Sequence, residues 1–143
     1  MIRTALDDIA IPPCSRLLGW RGLEAHPDDG FIRIGFAAGA EFCNPAGFIQ
    51  GGILAAMLDD TMGPAVFIRT GGRLYTATIG LSVNYLAPAR VGTIIGEGRV
   101  VQLGKSVAFT EAKLLDEAGM LLVTATSAAR LIESDRLLGR NAA

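Results

Sequence analysis

The chain has 143 residues, half of them apolar and only 6% aromatic, with a net charge of −1. That length suits one domain around one core built mostly from Ala, Val, Ile and Leu. A near-neutral charge without a basic run argues against nucleic acid as a partner, and two cysteines without ligand spacing argue against a metal site.

The N-terminal stretch MIRTALDDIAIPP places Asp7 and Asp8 where a signal peptide would be apolar, so a cytoplasmic location is expected. Residues 1–13 read as a capping segment with one short helix ended by Pro12-Pro13. Residues 16–25 and 31–37 read as two strands around the turn Pro27-Asp28-Asp29-Gly30. His26, the single histidine, falls at that surface turn and is not expected to act in catalysis. Cys14 and Cys43 read as buried or idle thiols.

The segment that organises the chain comes next. Residues 44–52, NPAGFIQGG, have loop chemistry. From Ile53 to Ile68 nearly every residue is apolar or small on all sides, which predicts a buried helix interrupted by Gly63-Pro64. It is marginal in length for a membrane span, and Asp59-Asp60 at its centre argues further against one. Two carboxylates on a buried helix are costly unless paired or functional, and that cost is the first pointer to a site. Gly71-Gly72 ends the helix region.

The rest reads as strands: 74–86, 92–103, 106–115 and 120–132, with a loose polar tail at 133–143. Gly96 and Gly98 read as bulge or bend sites. This order predicts an α+β fold, an antiparallel sheet curled around one long central helix. One sheet cannot cover a helix that is apolar all round, so a second copy of the chain is expected against it.

The pattern Asn44, Gly47, Gln50-Gly51-Gly52 and Asp59 resembles the signature of the phenylacetate-degradation branch of the acyl-CoA thioesterases, which are related to the 4-hydroxybenzoyl-CoA thioesterases. The family carries Asn, a glycine three residues on, His-Gly-Gly, and an acid eight residues after the first Gly. Residues 82–90, SVNYLAPAR, and 104–109, GKSVAF, are similar to two further family segments. The resemblance spans about residues 15–132 and implies the hotdog fold, a single thioesterase domain over residues 1–143, and a dimeric unit. One position departs from the pattern: the family's His is Gln50 here. A glutamine can donate a hydrogen bond but cannot shuttle a proton.

Asp59 is the leading candidate for nucleophile or general base in thioester hydrolysis, its alternative being a structural Asp bonded to a neighbouring strand. Asp60 points about 100° away on the helix and reads as a structural or interface charge. Gly51 opens the helix, so its unpaired N–H can polarise the thioester carbonyl. Asn44 either holds the loop or binds that carbonyl. By resemblance, Thr78 positions water or the carboxylate, and Gly52, Tyr85, Pro88, Arg90, Gly104, Lys105 and Ser106 are substrate contacts. Phe48, Ile49, Met57 and Met62 are candidate walls of the acyl pocket.

Coenzyme A enters as part of the substrate, with no separate cofactor and no metal. Hotdog hydratases generally use a site histidine, and none falls near this helix. A second class of function, a non-catalytic acyl-CoA sensor, stays open. Gly51 and Asp59 lie about 12 Å apart along one helix. The expectation is therefore a homodimer with composite sites, paired again into a tetramer, with no nucleic-acid or membrane partner.

Overall fold

The computed structural model describes residues 2–137. Six strands form one antiparallel sheet: β1 (Arg21–His26), β2 (Phe31–Ala38), β3 (Leu74–Tyr85), β4 (Gly92–Leu103), β5 (Val107–Asp116) and β6 (Leu121–Glu133). Their order is β1-β2-β4-β5-β6-β3, so β1 and β3 are the two edges. Helix α1 spans Pro13–Leu17, α2 spans Gly51–Arg69, and α3 spans Ser134–Leu137. Helix α2 lies across one face of the sheet, the hotdog arrangement that the sequence predicts.

The core forms where α2 meets that face. Leu54, Met57, Leu58, Met62 and Ile68 from the helix pack with Ile32, Ile34 and Phe36 of β2 and Leu114 of β5. Each such side chain, taken out of water, stabilises the fold by roughly 2 kcal/mol. By length and hydropathy α2 is apolar enough to cross a membrane. Here it serves as the core helix, with nine of its residues buried against the protein.

Gly96 and Gly98 are not bulge or bend sites. The register shift in β4 lies between Val100 and Gln102. A Cβ on Gly96 would sit 2.6 Å from Thr61 Oγ1, and one on Gly98 would sit 2.8 Å from Thr61 Cγ2. These glycines let the helix backbone approach the sheet closely.

Two other expectations are corrected. The helix is not interrupted at Gly63-Pro64 but continues to Arg69. Pro64 lacks the N–H that would bond the Asp60 carbonyl. Trp20 supplies a substitute, its indole N–H donating to that carbonyl at 3.1 Å. Residues 16–20 are not strand: Pro13 starts α1 at its first position, where proline is well tolerated, and β1 begins only at Arg21. At the other end, the expected loose tail from residue 133 begins instead with the last residue of β6, Glu133, and continues as α3, and its remainder lies outside the described residues.

Candidate active site

Residues 43–49 close into a small loop around Asn44. Its Oδ1 accepts from the N–H groups of Ala46 (3.0 Å) and Phe48 (3.1 Å). Its backbone N–H donates to Phe48 O at 2.7 Å. Of the two roles open for Asn44, the structure therefore places its oxygen on holding the loop. Ile49 N–H donates to Ala89 O and Gln50 N–H to Phe42 O, fixing where α2 starts.

Gln50 is the N-cap, but its side chain makes no capping bond. The N–H groups of Gly51 and Gly52 have no acceptor among the described residues. Tyr85 on β3 donates its hydroxyl to Gly51 O at 2.7 Å. A Cβ on Gly51 would stand 3.2 Å from the Tyr85 ring, so the ring closes one side of this end. Arg90 lies over the Phe48 ring at 5.5 Å, and Pro88 is exposed beside it. The helix start thus gathers Asn44, Gln50, Gly51, Gly52, Tyr85, Pro88 and Arg90.

Asp59 lies two turns further along α2 and is exposed in the single chain. Thr78 of β3 donates its hydroxyl to Asp59 Oδ1 at 2.8 Å. The turn of Gly104, Lys105 and Ser106 belongs to the far end of the sheet, because Leu131, which pairs with Thr76, donates to Ser106 O. Between Thr76 and Tyr85 the strand runs roughly 25 Å. One chain therefore does not bring this turn to Tyr85, Pro88 and Arg90, and the substrate contacts expected from sequence fall into two groups.

The expected pocket walls are also corrected. Met57, Met62 and Ile49 are packed into the core rather than lining an open cavity. Phe48 is half-buried beneath Arg90. A groove of about 350 Å³ lies instead along the sheet between Glu97, Arg99, Glu111, Lys113 and Thr124, away from Asp59 and Gly51. His26 sits on edge strand β1 with Glu24 at 2.8 Å, across the sheet from β3.

Asp60 has a role that spacing along the helix did not reveal. Ser15 Oγ donates to its Oδ1 at 3.0 Å, while its Oδ2 is buried without a partner. With the Trp20 bond, this joins the segment 15–20 to the helix next to Asp59. Burial raises the Asp60 pKa from 3.8 to about 6; the Ser15 bond opposes that rise and the Asp59 charge adds to it. The folded chain therefore holds this proton more tightly than the unfolded chain. The stability this provides is complete below about pH 4 and is lost as pH rises through about 6. Asp60→Asn is expected to remove that loss, raising Tm at pH 8 by on the order of a few degrees after allowance for solvent screening. The gap should shrink as pH falls toward 4. Parallel melting curves across that range would refute the assignment.

The family model described as "Thioesterase superfamily" matches residues 46–123. No curated protein matches the chain. Among solved structures, a phenylacetic acid degradation-related protein from Ralstonia eutropha JMP134 shares 28% identity and a TM-score of 0.82, over 88% of this chain and 95% of its own. A thioesterase-superfamily protein solved by structural genomics shares 30% identity and a TM-score of 0.76, over 83% of this chain and 89% of its own. A Streptococcus mutans UA159 protein, bound to acetyl-CoA, has the same fold at 18% identity and a TM-score of 0.71, over 80% and 89%.

Proposed function

The chain belongs to the thioesterase superfamily and is a thioesterase; from that premise we propose that it hydrolyses an acyl-CoA to the free acid and CoA. The observation that carries this reading is the pairing, on one helix, of unpaired N–H groups at Gly51 and Gly52 with a carboxylate at Asp59 held by Thr78. Electron density moving onto the thioester oxygen is stabilised at the helix N-terminus. Asp59 either takes a proton from the attacking water or attacks the carbonyl carbon itself, with water then cleaving the resulting anhydride. In both routes the C–S bond breaks and CoA leaves as a thiolate that takes up a proton. Arg90 and Lys105 offer cations to the CoA phosphates.

The proposed assembly is a homodimer with composite sites, paired again into a tetramer, in the cytoplasm. Edge strand β3 is paired on one side only. Beside it, Gly52, Ala56 and Asp59 form an open stripe on α2, small enough for a second helix to approach. A two-fold axis there would bring the Gly104–Ser106 turn of one chain toward the Tyr85 end of the other.

A thiol-release assay over a panel of acyl-CoAs tests the reading. Turnover of at least one member supports it. Binding without turnover of any would favour the second class, a sensor. Gln50→His is expected to fold and to keep or raise kcat, because the Gln50 side chain makes no capping bond. It should also add a titration near neutrality to the kcat profile. Failure of this variant to fold would refute the placement of the loop against the family pattern.

A further inference from the structure

Strand β3 does not alternate regularly. Leu74–Thr78 pairs with Glu133–Ala129, and Gly80–Tyr85 pairs with Ala128–Val123, leaving Ile79 as an extra residue. Ile79 is 64% exposed on the sheet edge. Leu81 and Val83 stand opposite Ser127 and Ala125, both buried on the helix side. Strict alternation backward from Leu81 would turn Ile79 toward the helix and Thr78 away from it. The bulge reverses that phase, so Thr78 stands opposite buried Ala129 and reaches Asp59.

Something must hold this register against the regular one, because both place a residue on the helix side. The buried hydroxyl of Ser127 donates to Gly80 O, the carbonyl directly after the bulged residue, at 2.9 Å. We propose that Ser127 is a positioning residue for the thioesterase reaction: by pinning the bulge at Ile79, it sets Thr78 rather than Ile79 against Asp59. This rests on the reading of Asp59 as the reacting carboxylate. Ser127 does not touch Asp59 and acts only through the strand.

The test is a double-mutant cycle with steady-state kinetics. Thr78→Val is expected to lower kcat about tenfold, the effect of removing one hydrogen bond to a charged group, with KM unchanged. Ser127→Ala should lower kcat in the same direction, by up to that factor, again with KM unchanged. In the Thr78→Val background, Ser127→Ala should cost nothing further, since no Thr78 hydroxyl remains to be positioned. Ser127→Cys, similar in size but a weak donor, replaces the alanine variant if that one fails to fold. Multiplicative losses, or an unchanged kcat in a folded Ser127 variant, would overturn the proposal while leaving the role of Asp59 standing. If Thr78→Val and Asp59→Asn both keep full kcat, the reading of the site fails and this inference falls with it.

Discussion

Asp59→Asn is expected to lower kcat at least a hundredfold while leaving the fold and CoA binding nearly intact. The substitution keeps the size of the side chain and an oxygen able to accept from Thr78 Oγ1, now at 2.8 Å. What it removes is the negative charge, and with it both the nucleophile and the base. Because Asp59 is exposed on the open stripe of α2, it supports no core packing, and melting should change little. A loss confined to kcat, with the dissociation constant for CoA unchanged, separates removal of a reacting group from removal of a binding contact. Turnover within a few fold of the parent would take Asp59 out of the mechanism.

The parts legible in the sequence are those governed by short-range pattern. The all-round apolar run predicts the central helix, and the β-rich stretches between turns predict all six strands, with β1 starting later than expected. What the pattern misses depends on residues far apart in the chain. Gly63-Pro64 carries the local signal of a break, but Trp20, 40 residues away, satisfies the carbonyl that Pro64 leaves free. Gly96 and Gly98 carry the signal of a bulge, yet their lack of side chains serves Thr61 on the helix. Asp60 reads as a structural or interface charge, and the structural role holds, but its partner Ser15, 45 residues away, is not visible from the helix alone.

The site is legible to a similar degree. Its helix start follows from the Gly51-Gly52 pair, but the cost of burying an acid falls on Asp60 rather than on the exposed Asp59, which the family pattern singles out. The contact from Thr78 to Asp59 does not follow from residue spacing, because one extra residue at Ile79 inverts the alternation that a reader would extend along β3. Nor does the sequence separate the substrate contacts into two groups. That division follows from the register of β3 on β6, which puts Tyr85 and the Gly104–Ser106 turn at opposite ends of the sheet.

Mixing two inactive variants is expected to restore activity. Gly51 and Asp59 lie on one unbroken helix, eight residues and about 12 Å apart along its axis. A thioester whose oxygen rests on the Gly51 N–H and whose carbon is attacked from Asp59 needs both groups within about 3 Å of its reacting atoms. One chain cannot meet both demands, whereas two antiparallel helices can. The first variant is Asp59→Asn. The second is Gly51→Pro, which removes the N–H itself. Proline is well suited to the first helical position, and Gln50, at φ −60° and ψ 140°, already has the extended backbone that a residue before proline adopts. The ring will press on Tyr85, which must shift by a few tenths of an ångström. Alone, Gly51→Pro should lose roughly a hundredfold or more in kcat, as does removal of one oxyanion donor elsewhere. Refolded together in equal amounts, the variants should form about half mixed dimers, each with one site intact in both groups. Activity should therefore return to roughly a quarter of the parent's. Dimers shown to be mixed, yet no more active than either variant alone, would rule out the two-chain site.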